Sequence, residues 1–306
     1  MHTRSATEPV SRANGARSRA LRTLRNRTRI PLRGPTTTGI EMNENPRKPV
    51  VVGVPFLHAV GREALEPGHR VIETMNVDEI ASHVAAADAL YAYPPLFVTD
   101  ALIAQAPRLK VIAAGGSGVD HIAVDAAQAA GVVVTHAVGF GALSVAEHAI
   151  GLMLAVAKRM VENDAHVRAG GSFAERRHGC LYEEISGSTL AIVGFGAIGR
   201  ALARIARHGF GMTVIAVTRD GRQADSPDVE QTLPLREALA AAHIVSVNTP
   251  LTPLTRGLIG EAELAATRRG ALLIDTSRGG VVDSRALHAA LASGHLRGAG
   301  IDVFEP

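Results

Sequence analysis

Apolar positions along the chain follow two alternating rhythms, short runs rich in Val, Ile and Ala and longer stretches at helical spacing. "PVVVGVPF" (49–56) is a β-rich run closed by Gly and Pro. "ADALYAYP" (87–94), "LKVIAAGGSG" (109–118) and "GVVVTHA" (131–137) repeat it, separated by the helical "TDALIAQAP" and "VDAAQAAG". This βαβ rhythm predicts a parallel sheet in one small α/β domain over 49–142. "LSVAEHAIGLMLAVAKRMVENDAHVRAGG" then holds helical spacing throughout. Ser144 and Glu147 have the spacing of a capping box, and Gly170 with Gly171 supplies a stop. One helix of about 25 residues is predicted over 143–170, long enough to connect domains or to build a subunit interface. A second α/β domain is predicted over 171–306, from "STLAIVGFGAIGRALARIARHGFGMTVIAVTRD", "IVSVNTPLTPLTRGLI", "GALLIDTSRGGVVD" and "GAGIDVFEP". The predicted fold is α/β, with two Rossmann-like domains built on doubly wound parallel sheets, the first flavodoxin-like.

Composition agrees with that palette: 46% of residues are apolar, only 3% aromatic, and none is Trp. Cores of Ala, Val, Leu and Ile suit parallel sheets covered on both faces. The single cysteine, Cys180, excludes an intramolecular disulfide framework and a Cys-based zinc site. It reads as a buried, inert thiol in a reducing compartment, so a cytoplasmic location is expected and no metal. The longest apolar run, "AIGLMLAVA", is far short of the roughly 20 residues that span a bilayer.

Charge changes the picture only at one end. Residues 1–40 carry nine Arg and one Glu, leaving −5 for the rest of a chain whose net charge is +3. The basicity belongs to a tail over 1–48 that has no apolar periodicity and reads as disordered. An organellar transit peptide, a nucleic-acid arm, or sequence upstream of a true start at Met42 remain open for it. No nucleic-acid or membrane partner is inferred from it.

The chemistry concentrates in the second half. A strand over Thr189–Val193 runs into Gly194, Gly196 and Gly199 in GxGxxG spacing, followed by a helix and a second strand over Thr213–Val217. In that context the first glycine permits the turn, the second lets a pyrophosphate approach the backbone, and the third lets helix and strand pack closely. With Ala197 and Ile198 at the helix N-terminus, these residues are candidates for holding a dinucleotide. NAD sites carry an acidic residue about 20 residues onward, at the ribose. Here the sequence reads Thr218, Arg219, Asp220. Thr218 leaves room for a 2′-phosphate with Arg219 and Arg222 as partners, favouring NADP slightly; Asp220 turned inward favours NAD. Strand ends in a doubly wound sheet face the ligand crevice, which places Thr249, Pro250, Thr276, Ser277 and Arg278 there. A guanidinium at Arg278 can grip a carboxylate and stabilise charge on a neighbouring carbonyl.

Six motifs in order, "GGSGVDHIAVDAA", "SVAEHAIGLMLAVAKR", "GFGAIGR", "NTPLTPLTRGLI", "LLIDTSRGGVVD" and "GAGIDVFEP", resemble the D-isomer-specific 2-hydroxyacid dehydrogenases, which include glyoxylate and hydroxypyruvate reductases and phosphoglycerate dehydrogenase. The resemblance covers residues 50–306. It implies hydride transfer between NAD(P)H and a small 2-keto or D-2-hydroxy acid, with Ser117 and Gly118 offering backbone amides to the substrate carboxylate. It implies that Arg278 is the catalytic arginine, and that Thr249, Pro250, Thr255, Thr276 and Asp302 surround the cofactor. It places Thr218 where NAD-preferring members carry Asp, and it implies a homodimer built by the helix over 143–168. In the family a catalytic Glu lies five residues beyond the position of Asp302 and a catalytic His a few tens further, both past Pro306. The chain is therefore expected to bind cofactor while lacking its proton donor, and to leave apolar surface uncovered where the family's terminal helix returns. A non-catalytic dinucleotide-binding protein, or an inactive truncated gene product, is the alternative.

Overall fold

The computed structural model describes residues 47–55, 57–172 and 183–305. The basic tail up to residue 46 and Cys180 lie outside the described residues. The first sheet is built from β1 (Val50–Val54), β2 (Arg70–Glu73), β3 (Ala89–Ala92), β4 (Val111–Ala114) and β5 (Val133–Thr135). Its order is β2-β1-β3-β4-β5, with every pairing parallel. The crossovers are α1 (Ala59–Leu65), α2 (Ile80–Val84), α3 (Asp100–Ala104) and α4 (Val124–Ala129). Thr99 starts α3 by accepting the Leu102 N–H at 3.3 Å, satisfying one of the free amides of the first turn. Alternate strand residues, among them Val52, Leu90 and Ile112, are buried against Ile80, Val84, Leu102 and Ile103 from the helices. The opposite face carries Val51, Tyr91, Val111 and Ala113 and, with Leu57 and Leu65, lines an apolar groove of about 440 Å³.

The second sheet contains β6 (Thr189–Val193), β7 (Thr213–Val217), β8 (Gln231–Thr232), β9 (Ile244–Val247), β10 (Leu272–Asp275) and β11 (Gly298–Ile301). Its order, β11-β10-β9-β6-β7-β8 and all parallel, is the 3-2-1-4-5-6 arrangement of dinucleotide-binding sheets. Residues of β6, β7, β9 and β10 are buried on both faces, apart from Thr189 and Thr213 at the strand starts. One face packs on α5 (Ala142–Ala157) and α7 (Ala197–Phe210), the other on α8 (Leu235–Ala241) and α9 (Glu261–Ala266). Helix α10 (Ser284–Ala292) is started by Asp283, whose carboxylate accepts the Arg285 and Ala286 N–H groups at 2.9 and 2.8 Å.

The single long helix expected over 143–170 is two helices. Helix α5 stops at Ala157, Arg159 takes a left-handed φ of 51°, and α6 (Met160–Arg168) begins anew. The break falls where the apolar stripe ends: α5 buries Ala146, Ala149, Ile150, Met153 and Ala157, whereas α6 buries nothing. Two of the freed carbonyls find other donors, Ala157 from the Glu183 N–H at 3.2 Å and Lys158 from the Asn163 side-chain amide at 3.2 Å. The expected Ser144/Glu147 capping box does not form either. The N-cap is Gly141, three residues before Ser144 and in a left-handed conformation, which puts Ser144 inside the first turn.

Helix α5 lies close on the edge strand because β11 is built from small residues. A Cβ on Gly298 would come within 2.5 Å of Val156, and one on Gly300 within 2.9 Å of Leu152. Gly300→Ala is therefore expected to destabilise the fold by about 1–3 kcal/mol through overpacking. Gly61→Ala, in α1 where a Cβ meets open space, should be neutral or stabilising by up to about 1 kcal/mol. Urea unfolding of both variants measures the difference.

Candidate functional site

Because both sheets are parallel, the loops after their strands carry the candidate chemistry at one end of each sheet. The turn after β6 is tight for identifiable reasons. Gly194 has φ of +94°, and a Cβ there would sit 2.8 Å from Thr249 Oγ1 and 2.9 Å from the Asn248 carbonyl. Thr249 in turn donates to the Val193 carbonyl at 3.1 Å, so the ends of β6 and β9 are stitched together. A Cβ on Gly199 would lie 2.7 Å from the Gly194 carbonyl oxygen, so the helix can approach its own turn only without a side chain. Gly196 differs, since a Cβ there would meet nothing within 4 Å. It is the N-cap of α7, with no side chain accepting from the first-turn amides around Ala197 and Ile198. Open space beside uncapped helix N–H groups fits a dinucleotide pyrophosphate.

The loop after β7 holds Thr218, whose hydroxyl donates to the Arg222 carbonyl at 2.8 Å. Asp220 is turned to Arg222, accepting its backbone N–H at 3.3 Å and pairing with its Nε at 3.1 Å. Arg219 forms no ion pair among the described residues. After β9, Thr255 donates to the Pro250 carbonyl at 2.6 Å and accepts the Thr252 N–H at 2.8 Å, closing Thr249, Pro250 and Thr255 into one compact loop. Thr276 reaches this region through a 3.3 Å bond to Asn248 Oδ1.

At the end of β10 the buried Asp275 carboxylate accepts from the Ser277 N–H at 2.9 Å and the Ser277 hydroxyl at 2.6 Å. Burial pushes its pKa above the ordinary 3.8, and the nearby Asp302 adds to the rise against those two bonds. Asp302 follows β11; its N–H donates to the Asp275 carbonyl at 3.0 Å, and its carboxylate meets His148 Nε2 of α5 at 3.3 Å.

Arg278 crosses to the first sheet. Its Nη1 donates to the Ser277 carbonyl at 2.9 Å, and its Nε to both Asp120 oxygens at 3.1 and 3.3 Å. Its Nη2 occupies the place that a Gly118 side chain would need. The loop after β4 thus brings Ser117 and Gly118 to Arg278, while the dinucleotide candidates line the ends of β6, β7, β9, β10 and β11. Sequence reasoning missed Asp120, His136 and His148. Asp120 stands three residues after Ser117 inside "GGSGVDHIAVDAA", where an acid beside a glycine loop was a usable signal. His136, whose Nδ1 lies 2.8 Å from the Ser117 carbonyl, gave none. His148 stands inside the helical "SVAEHAIGLMLAVAKR", and only the packing of α5 on β11 reveals its contact.

The sequence pattern of the D-isomer specific 2-hydroxyacid dehydrogenase NAD binding domain matches residues 150–306. The glyoxylate reductase of Thermococcus litoralis is 40% identical over 224 residues, 71% of this chain and 67% of that protein. The chain belongs to the D-isomer specific 2-hydroxyacid dehydrogenase family. The D-3-phosphoglycerate dehydrogenase of Mycobacterium tuberculosis is 38% identical over 77% of this chain, which spans 44% of its length. Among solved structures, the TT0316 protein of Thermus thermophilus superposes with a TM-score of 0.76 at 37% identity, over 84% of this chain and 82% of that one. The dehydrogenase-family match begins within α5, in keeping with a helix whose buried face belongs to the second sheet.

Two outcomes follow from this geometry. Gly196→Ala should leave thermal stability unchanged while weakening dinucleotide binding about tenfold or more, measured by fluorescence titration, because its Cβ points into the space the phosphates need. Asp275→Asn keeps an acceptor for both Ser277 bonds and removes the buried charge. The wild-type carboxyl holds its proton more tightly folded than unfolded, so its contribution to stability is full below about 3.8 and is lost as pH rises through the raised native value. The variant should gain up to about 1 kcal/mol, roughly 2–4 °C, at pH 7, and the gap should close toward pH 4 in thermal melts.

Proposed function

We propose that the protein reduces small 2-keto acids to D-2-hydroxy acids with a nicotinamide dinucleotide, NADPH in preference to NADH. The observation that carries the reading is the approach of Arg278, from the dinucleotide-binding sheet, to the Ser117–Gly118 loop of the other sheet. A substrate carboxylate accepted by the two loop amides would lie beside a guanidinium whose Nη2 faces the same point. Arg278 then holds the carboxylate and, as charge builds on the keto oxygen, stabilises it with a fixed donor. Gly194, Gly196 and the first turn of α7 would hold the pyrophosphate, with Thr249, Pro250, Thr255, Thr276 and Asp302 along the nicotinamide side. When bound, the nicotinamide supplies hydride to the keto carbon, and the keto oxygen, held by Arg278, takes its proton from solvent, because no residue of this cradle serves as the general acid.

NADPH is favoured by the loop after β7. Thr218 brings no carboxylate to the ribose, Asp220 is neutralised by Arg222, and Arg219 is available to a 2′-phosphate. A homodimer through α6 is supported by Met160, Val161 and Val167, all exposed on a helix that buries no residue of its own. A cytoplasmic location rests on the reducing compartment that cysteine usage suggests; no described helix is long and apolar enough to cross a membrane.

NADPH should bind more tightly than NADH in fluorescence titrations. Equal affinity, or a preference for NADH that survives Asp220→Ala, rejects the assignment of the arginines. In steady-state assays with glyoxylate and hydroxypyruvate, Arg278→Ala should lower kcat/KM by about 10²–10³-fold. Its NADPH dissociation constant should stay within about twofold; a variant as active as the wild type rules out the clamp.

A further inference from the structure

We infer that His136 is a positioning residue that aims the Gly118 N–H into the crevice, and so sets the carboxylate cradle before substrate arrives. The inference rests on the reading of Ser117, Gly118 and Arg278 as that cradle. His136 lies in the segment joining β5 to α5, outside the loop it touches. Its Nδ1 is 2.8 Å from the Ser117 carbonyl oxygen, so the ring donates and the carbonyl accepts. The next residue, Ala137, donates its N–H to the Gly116 carbonyl at 2.9 Å, giving the loop two consecutive anchors on the same side. The Ser117–Gly118 peptide is trans, so its C=O and N–H point in opposite directions. Tying the carbonyl to His136 therefore turns the Gly118 N–H the other way.

Arg278 Nη2 sits beside Gly118, in the space a Cβ would fill. No hydrogen bond among the described residues uses the N–H of Ser117 or Gly118, although Gly118 is half-buried. An amide oriented by one bond, left without a partner and placed beside a guanidinium is preorganised for an anion. Asp120 performs the matching task for the guanidinium by holding Nε. Each half of the cradle thus has a holder that need not touch the substrate.

The test compares His136→Leu, which removes the donor, with His136→Asn, whose side-chain amide nitrogen stands close to the position of Nδ1. Labelling with carbonyl-13C serine and 15N glycine reports only three amides in this chain, those of Gly118, Gly187 and Gly294. The Gly118 signal should move in the Leu variant and return toward its wild-type position in the Asn variant. In assays with glyoxylate, KM should rise about three- to tenfold for Leu with kcat and NADPH affinity little changed, and Asn should restore it. A Gly118 signal unmoved by His136→Leu overturns the proposal, as does an equal rise in KM for Leu and Asn. A wild-type chain that neither reduces glyoxylate nor binds oxalate refutes the reading of function instead, and the amide signal still decides whether His136 orients the peptide.

Discussion

Every strand pairing in both sheets is parallel, and most of the site follows from that constraint. A parallel strand cannot return through a hairpin, so each needs a crossover, and all strands of one sheet finish at the same edge. Residues as far apart as Ser117, Gly194, Thr249, Arg278 and Asp302 consequently belong to loops of the same kind, each just past a strand. The crossovers also require apolar faces on both sides of the second sheet, which is why its strands read as Val, Ile, Leu and Ala with little alternation.

Charge at these strand ends is arranged in neighbouring pairs. Arg278 is held by Asp120, Arg222 by Asp220, and Asp302 stands against His148. Asp275 is the exception. It is buried with no cation beside it among the described residues, and burial raises its pKa while two donors from Ser277 fix its carboxylate. The geometry explains why such a costly group sits there. Both Ser277 donors reach back to Asp275, and this turn directs the next residue, Arg278, out of the sheet and across to Gly118. These pairs are partly exposed and worth little to stability individually; their effect is directional.

Much of this was legible beforehand, and the exceptions have common causes. The strands over Thr189–Val193 and Thr213–Val217 emerged with the bounds the apolar runs suggested, because a strand buried on both faces leaves an unbroken signature. β2 was invisible, since "RVIE" is a half-exposed edge with a charge at each end. The long helix was overestimated because helical spacing says nothing about whether a face is buried. Lys158 and Arg159 are acceptable helix residues, and only the end of the packing surface at Ala157 decides the break. At the site, residues expected to touch a ligand were readable from glycine spacing and strand ends. Residues that hold those residues, Asp120, His136 and His148, were not, because their partners lie 158, 19 and 154 positions away.

That division has a physical origin. A group that contacts a ligand must come from a strand end or a helix N-terminus, positions that the local pattern of Gly and apolar residues marks out. A group that orients another needs only one polar atom at the right place, and any element passing nearby can provide it. Glycine is the link between the two classes here. Gly118 lets Arg278 reach the loop after β4, Gly199 lets α7 begin at the glycine turn after β6, and Gly300 lets α5 lie close on β11, the strand that Asp302 follows, with His148 on that same helix. A side chain at Gly118 or Gly199 would displace a group of the site, and one at Gly300 would press on Leu152 of the helix that carries His148, so the close approaches that build the fold also assemble its chemistry.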